Sequence, residues 1–199
     1  MPESSKSSRC IHLTMLVIGI SGSPRKNGNT DLLLDAVLEG SASNGAEVKK
    51  FYLSDSVCSG CLGCGRCADT GSCNIDDYIS EIYDCIGRAD AVILTSPIYF
   101  ESISSWMKTF IDRGQFLWSN NLDQSHSKKG LFISVAARLN TDFVCVEKTI
   151  RIFFKTLGFH QEKSLLFPGF EEPGSILDAP FALEEAREAG RKLVVERSH

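Results

Sequence analysis

The residues of this chain that most clearly carry chemistry are cysteines. Five of its eight cysteines fall within one short segment: Cys58, Cys61, Cys64, Cys67 and Cys73. In an acidic chain of 199 residues, long enough to bury a core without covalent staples, such crowding favours metal binding over disulfides. Structural zinc usually joins two Cys-x-x-Cys pairs across a spacer of about a dozen residues or more, whereas four thiolates this close suit an iron–sulfur cluster. Zinc and metal-free redox thiols are the alternatives.

The spacing of these cysteines permits two sets of four ligands. Cys61, Cys64 and Cys67 belong to both sets, and either Cys58 or Cys73 completes the four. The two sets are equally plausible by spacing, so the residue pattern alone leaves the fourth ligand open.

A polar segment from Ser21 to Thr30 suits a different ligand. It follows an apolar run and leads directly into a helical pattern. Hydroxyl, amide and guanidinium donors, together with free backbone N–H groups at a helix N-terminus, favour an anion such as a phosphate. The segment matches neither the GxxxxGK[ST] loop nor the GxGxxG turn. An ordinary loop of turn residues is the alternative interpretation.

A third candidate segment, Pro97 to Phe100, is rich in aromatic residues and follows another apolar run. Proline fixes an irregular turn, and aromatic side chains with a few backbone donors form the mostly apolar kind of pocket that holds a flat ligand. Taken by itself, such a segment is more typical of a hydrophobic core. Its position opposite the predicted phosphate loop favours a ligand site.

Five strand-like runs and five helical patterns alternate along the chain and must position these segments. The predicted strands are 15–20, 48–53, 91–96, 130–136 and 164–167. This alternation predicts right-handed crossovers and a parallel α/β sheet. The second run carries Lys49 and Lys50, which suits an edge strand and favours the doubly wound, flavodoxin-like strand order 2-1-3-4-5. Ligands of such sheets lie beyond the carboxyl ends of the strands, where all three segments fall.

Several local features follow from the same patterns. We predict that Asn29 or Thr30 caps the first helix and that Ser102 caps the helix after the third strand. Cys85 and Cys145 fall in later helices, where we predict that both are buried as small apolar side chains.

Two segments resemble the signatures of the NADPH-dependent FMN reductase and iron-sulfur flavoprotein families. They are SGSPRKNGNT after the first strand and SPIYFESISSWMKTFIDR after the third, and the resemblance covers nearly all of residues 15–113. It implies an FMN whose phosphate is held in the first loop, by residues drawn from Ser21, Ser23, Arg25, Asn27, Asn29 and Thr30. It implies contacts to the flavin ring from Pro97, Ile98, Tyr99 and Phe100, and, after the fourth strand, from Ala136 and Arg138. The Gly-Gly pair of many relatives is missing from that last loop.

The cysteine pattern also resembles that of iron-sulfur flavoproteins. The motif CxxCxxCxxxxxC is formed by Cys61, Cys64, Cys67 and Cys73, and the resemblance implies that they bind one [4Fe-4S] cluster, with Cys58 outside the set. It further implies electron transfer between cluster and FMN, ferredoxin as a donor, a small-molecule acceptor, and a homodimer or homotetramer. The alternative is a cluster-free NAD(P)H-dependent reductase of FMN, quinones or nitro compounds. A carrier that only shuttles electrons between proteins is the third hypothesis.

Composition limits the remaining function classes. The net charge is -4 and no cluster of basic residues exists, so we expect neither nucleic acid nor a membrane surface as a partner. The four histidines are scattered, so no catalytic side chain is assigned and the cofactor is expected to carry the chemistry. We predict a flexible extension over residues 1–14, a single FMN-binding domain over 15–199 with its cysteine loop at 58–73, and a cytoplasmic location.

Overall fold

The computed structural model describes residues 14–119 and 128–194 of the chain. The predicted extension up to residue 13, and residues 120–127, lie outside the described residues. No helix within the described ranges is both long and apolar enough to cross a membrane.

Strands and helices alternate along the described residues, as predicted. The strands are β1 (Leu16–Ser21), β2 (Glu47–Tyr52), β3 (Ala91–Tyr99), β4 (Ser102–Ile103), β5 (Lys128–Ala136), β6 (Phe159–Gln161) and β7 (Leu165–Pro168). The α-helices are α1 (Asn29–Ser43), α2 (Cys67–Thr70), α3 (Tyr78–Arg88), α4 (Ser105–Arg113), α5 (Gln115–Ser119), α6 (Val144–Leu157) and α7 (Pro180–Leu193). Two short 3-10 turns lie at Leu53–Asp55 and Ser175–Asp178.

The central sheet is parallel and has the order β2-β1-β3-β5-β6. β7 also pairs with β5 in parallel, further along the strand, so β6 and β7 share the fifth position. The predicted order 2-1-3-4-5 is therefore confirmed, with the fifth strand divided in two. The polar residues Glu162 and Lys163 separate the two halves, and β6 is too short and too polar to be recognised in the sequence.

Alternation along the inner strands divides the core into two layers. Ile18 and Leu94 pack with α3, α4 and α6 on one face, and Val17 and Ile93 pack with α1 and α7 on the other. All four side chains are fully buried. Each buried side chain of this size contributes about 1.5–3 kcal/mol. This two-sided core fixes the strands whose carboxyl ends carry the candidate site.

The helix starts differ from the predicted ones at two places. α1 is capped by the backbone of Gly28, and Asn29 is its first helical residue, with its side chain occupied elsewhere. α4 is capped by Ser104, whose hydroxyl accepts a 3.1 Å hydrogen bond from the N–H of Met107. Ser102 belongs instead to β4, where it pairs with Tyr99 in a tight hairpin. Pattern alone could not register this hairpin, because β4 contains only two residues.

Two further predictions concern the burial of cysteines in the helices. Cys85 is buried as predicted, whereas Cys145 is exposed at the start of α6, so that prediction was wrong. The buried stripe of α6 runs through Val146, Ile150 and Phe153, and Cys145 lies off that stripe.

Candidate functional site

The loop between β1 and α1 begins with backbone contacts that tie it to β3. The N–H of Gly22 donates to the Thr95 carbonyl at 2.8 Å, and the Ser104 hydroxyl donates to the Gly22 carbonyl at 2.6 Å. Further along, the N–H of Arg25 donates to the hydroxyl of Ser23 at 3.1 Å. The Ser23 side chain thus shapes the turn and leaves the Arg25 guanidinium exposed at the loop surface.

The far end of this loop is held by a buried carboxylate. Asp31 accepts a 2.8 Å hydrogen bond from the backbone N–H of Asn27, which has a left-handed φ of 61°. The same carboxylate pairs with Lys50 at 2.7 Å and accepts from the Tyr52 hydroxyl at 3.3 Å. Burial lowers the pKa of Lys50, but hydrogen bonds to Asp31 and to Asp35 outweigh it, so the net pKa is raised and the ammonium stays charged.

Lys50 is a residue whose role the sequence analysis missed. Its position beside Lys49 indicated a solvent-exposed sheet edge, yet its side chain is only 16% exposed and neutralises the buried Asp31. The sequence does contain one signal for this role. Asp31 is an acidic residue in the first turn of α1, and it lies on the buried side of that helix, where it needs a positively charged partner.

The side chain of Asn29 joins α1 to the segment that follows β7. Its amide donates to the carbonyl of Glu172 at 2.9 Å and accepts from the N–H of Ile176 at 3.1 Å. These bonds bring residues 170–173 over the N-terminus of α1. Only the backbone of Asn29 is therefore left to meet an anion in the first loop.

The aromatic segment after β3 is a tight hairpin with an unusual backbone. Phe100 and Glu101 have positive φ values of 50° and 57°, the pattern of a type I′ turn that normally requires Asn and Gly. Tyr99 is 43% exposed, and Phe100 is fully exposed at the tip. Such strain in non-glycine residues is typical of functional sites.

Buried serines connect the loops beneath this hairpin. The Ser134 hydroxyl of β5 donates to the Ser96 carbonyl at 2.8 Å, and the Ser96 hydroxyl accepts from the N–H of Ser104 at 2.9 Å. Together with the bond from Ser104 to Gly22, this chain fixes the ends of β1, β3 and β5 relative to one another.

A cleft of about 90 Å³ lies where these loops meet. It brings together seven of the twelve residues predicted to hold the cofactor: Ser23, Arg25, Asn29, Thr30, Pro97, Ile98 and Tyr99. The other five do not line it: Ser21, Asn27, Phe100, Ala136 and Arg138. The carbonyl of Ala136 accepts hydrogen bonds from Gly169 and Phe170, and Arg138 is exposed.

Several lining residues were missed by the sequence analysis. They are Gly28, Val135, Ala137, Phe170, Glu171 and Pro173. The segment around Phe170 reaches the cleft only because Asn29 holds it there, and no local pattern announces that long-range contact.

The cysteine segment lies between the first 3-10 turn and α3 and forms a second cavity of about 240 Å³. Cys61, Cys64, Cys67 and Cys73 all line this cavity. Left-handed glycines alternate with them, at Gly63, Gly65 and Gly71, and let the chain turn tightly. The N–H of Gly63 points to the Cys61 sulfur at 3.5 Å. Among the described residues, no group of three or more His, Cys, Asp or Glu side chains is already gathered at metal-binding distances.

Cys58 has different surroundings from these four cysteines. It does not line the cavity and instead packs against the hydrophobic core beside α3. Burial raises the pKa of its thiol, and the charge of Asp77 raises it further. Both effects disfavour the thiolate, which is the form of cysteine that binds metal.

One buried arginine anchors the cysteine segment to the domain. Arg113, the last residue of α4, forms a bidentate ion pair with Asp77, with distances of 2.7 and 3.1 Å. It also donates to the carbonyls of Ser59 and Ile75 at 3.1 and 2.9 Å. Asp77 in turn caps α3 by accepting from the N–H of Ile79.

Comparison with known proteins agrees with this geometry. Residues 15–168 match the family of NADPH-dependent FMN reductases. An iron-sulfur flavoprotein of Methanocaldococcus jannaschii is 33% identical over 186 residues, which cover 90% of this chain and 95% of that protein. An iron-sulfur flavoprotein of Methanosarcina thermophila is 33% identical over 146 residues, 73% of this chain and 74% of the relative.

Solved structures share the fold at low sequence identity. An NAD(P)H:quinone oxidoreductase from Methanothermobacter marburgensis superimposes with a TM-score of 0.71 at 18% identity, covering 94% of this chain and 99% of that chain. An archaeal flavodoxin gives a TM-score of 0.56 at 14% identity, covering 90% and 96%. This chain belongs to the family of NADPH-dependent FMN reductases and iron-sulfur flavoproteins, and it is an FMN-dependent oxidoreductase.

Proposed function

We propose that this protein is an iron-sulfur flavoprotein that transfers electrons between a [4Fe-4S] cluster on Cys61, Cys64, Cys67 and Cys73 and an FMN at the carboxyl ends of the strands. The observation that carries the proposal is that these four cysteines line one cavity, whereas Cys58 lies outside it and packs against the core. Four soft thiolates on one short, glycine-rich loop are the donor set that iron–sulfur clusters take.

The first cleft fits the chemistry of FMN. Ser23, Arg25 and Thr30 line it beside the N-terminus of α1, where free N–H groups and the helix dipole favour a phosphate. Pro97 and Tyr99 supply an apolar wall for the flavin ring. The proposal also includes the five predicted residues that do not line the cleft, as residues around the FMN site: Ser21, Asn27, Phe100, Ala136 and Arg138.

The second cavity fits a cluster by the nature of its donors and its lining. The N–H of Gly63 already donates toward the Cys61 sulfur, an arrangement that stabilises negative charge on a thiolate. A bound cluster supplies one-electron chemistry, and FMN accepts electrons singly or in pairs. The protein contributes position and electrostatics, and no side chain is proposed as an acid or base.

The physiological partners belong to the same proposal. We place ferredoxin as the electron donor and a small molecule as the acceptor, with the chain working in the cytoplasm as a homodimer or homotetramer. Residues 15–199 form the FMN-binding domain in this proposal, preceded by the extension 1–14.

Metal and sulfide analysis after anaerobic purification tests the proposal directly. We expect about four irons and four acid-labile sulfides per chain, together with bound FMN identified by mass spectrometry. A protein that holds FMN but neither iron nor sulfide would overturn the cluster assignment, and zinc in place of iron would do so as well.

The second candidate is a cluster-free NAD(P)H-dependent reductase, which the match to NADPH-dependent FMN reductases favours. It predicts rapid bleaching of the flavin absorbance by NADPH or NADH in the absence of any protein donor. The iron-sulfur proposal predicts slow bleaching by either nucleotide and fast reduction by reduced ferredoxin. Reduction by ferredoxin without turnover of quinones or nitro compounds would instead identify a pure electron carrier.

A further inference from the structure

Arg113 lines the cysteine cavity and is bonded to the chain on both sides of the four cysteines. Its side chain is only 1% exposed, and it lines the cavity together with the four cysteines. It is the last residue of α4, whereas the four cysteines belong to the segment before α3. Arg113 is therefore a direct physical link between α4 and the cysteine segment.

The two carbonyl groups that Arg113 holds lie on either side of the four cysteines. Ser59 precedes Cys61 by two residues, and Ile75 follows Cys73 by two residues. One guanidinium thus fixes both ends of the segment that carries Cys61, Cys64, Cys67 and Cys73. Cys58 lies outside these two anchor points. Closing the ends of a loop removes much of its conformational freedom before any ligand binds.

The arginine itself has little freedom. Asp77 grips the guanidinium with two hydrogen bonds and is held in turn as the cap of α3. A guanidinium group keeps its charge in proteins, and the two bonds to Asp77 compensate that charge in the buried site. A positive charge consequently stays beside Cys73.

One donor of this buried group is left over. Nε of Arg113 is buried and makes no hydrogen bond of ordinary geometry to any residue that the structure describes. A buried N–H without an acceptor is costly, and a partner absent from the protein chain itself is one explanation for such a donor. The cysteines that share this cavity with Arg113 offer sulfur as an acceptor. The acceptor would be the sulfur of Cys73 or a sulfur of the proposed cluster.

We infer that Arg113 is a positioning residue for the iron–sulfur site: it clamps both ends of the cysteine loop and donates its Nε–H to a sulfur at the Cys73 side of the cavity. This inference rests on the proposed function, because it needs a cluster for its second half. Hydrogen bonds to cluster sulfurs, and nearby positive charge, stabilise the more negative reduced state and raise the reduction potential.

The test compares three variants with the parent protein. Arg113→Lys keeps the charge but loses the fork that reaches two carbonyls, and Arg113→Gln loses both. We expect both to give a more negative cluster potential and about 10-fold faster loss of iron to a chelator, the low end of the range for residues that orient metal ligands. FMN content should stay at the parent level and serves as the check of folding.

Lys108→Gln is the matched control. Lys108 is exposed on the same helix and pairs with Asp112, away from the cysteine segment, so its loss removes one positive charge and should leave the cluster potential and the chelation rate at the parent values. If Arg113→Lys, folded and with full FMN, shows the cluster potential and chelation rate of the parent, the inference is overturned.

Amide hydrogen exchange separates this inference from the proposed function. If the parent holds no iron, the proposed function fails, yet the clamp still predicts faster exchange over residues 60–74 in Arg113→Gln than in the parent. Equal exchange in the two proteins would overturn the clamp, whatever the iron content.

Discussion

The buried carboxylate of Asp31 accepts a 2.8 Å hydrogen bond from the backbone N–H of Asn27, and this bond holds the loop between β1 and α1 in a left-handed bend. Asp31 lies in the first turn of α1, close to the place where a phosphate is proposed to bind. An unpaired carboxylate there would repel the phosphate. Lys50 pairs with it at 2.7 Å and also with Asp35 at 2.6 Å, so the loop gains a rigid anchor whose buried charge is compensated by the ammonium group.

We predict that Lys50→Met destabilises the protein by about 3 kcal/mol, the lower end for breaking a buried ion pair. The lower end applies because Lys50 retains 16% of its side-chain exposure. For a domain of this size the melting temperature should fall by roughly 6–12 °C. FMN affinity should fall as well. Lys49→Met, on the same strand, is the control and should stay close to the parent in both measurements.

The effect of Lys50 should depend on pH in a defined direction. Its folded pKa is raised above the ordinary 10.5, so its contribution is fully present below pH 10.5 and is lost as pH rises through the higher folded value. The difference in unfolding free energy between parent and Lys50→Met should be constant from pH 7 to 9 and shrink above pH 10.5. A difference that grows in that range would contradict the assignment.

FMN affinity tests whether the loop between β1 and α1 holds the phosphate. Replacing Arg25 and Thr30 together, by Ala and Val, should weaken FMN binding, because each charge-assisted bond to a phosphate contributes about 1.5–3 kcal/mol. Equilibrium titration of the flavin-free protein measures this loss. Arg151→Ala, at an exposed position of α6, controls for the change in charge. Retention of parental affinity in the double variant would show that the phosphate lies elsewhere.

Serine variants of Cys73 and Cys58 test which of the two residues is the fourth ligand of the proposed cluster. Cys73→Ser should remove or degrade the cluster, because a hard alkoxide replaces a soft thiolate poorly on iron. Cys58→Ser should leave about four irons per chain. Both variants should retain FMN, whose proposed site is lined by other loops. The reverse pattern of iron contents would move the ligand set to Cys58, Cys61, Cys64 and Cys67.

The stability of the protein should depend more on Ser104, the cap of α4, than on Ser105, the first residue of that helix. Ser104→Ala deprives the Gly22 carbonyl and the Met107 N–H of buried partners, at a cost of about 2 kcal/mol. Ser105, exposed at the first position of α4, provides the control, and Ser105→Ala should change the melting temperature little. Chemical denaturation of both variants measures the difference. Equal stability of the two would show that water replaces the Ser104 hydroxyl.

At the tip of the hairpin between β3 and β4 we predict substitutions that raise the stability of the protein. Phe100→Asn with Glu101→Gly should stabilise the protein by about 1–2 kcal/mol, because these residues suit a type I′ turn and the present ones are strained. The fully exposed Phe100 ring loses no packing in the described structure. Phe181→Asn, on an exposed position of α7, controls for removing a surface aromatic. A lower melting temperature for the hairpin variant would reveal contacts of Phe100 with a partner molecule.

The sequence by itself determined the strand order, the two-sided core and the position of both candidate sites. Apolar runs of four to seven residues that alternate with helical patterns leave few arrangements for a parallel sheet, and the ligand-binding edge follows from that topology. The cysteine spacing likewise restricted the metal ligands to two sets. These conclusions depend on local periodicity and on spacing along the chain, which a sequence displays directly.

Only the tertiary structure decided which residues meet. It placed Cys58 against the core and Cys73 at the cavity, brought Phe170 to the cleft through Asn29, and turned Lys50 from an exposed edge residue into the partner of Asp31. It also directed Arg113 to both ends of the cysteine loop. Such contacts join residues far apart in the chain, and they depend on helix and loop packing in three dimensions that no local pattern encodes.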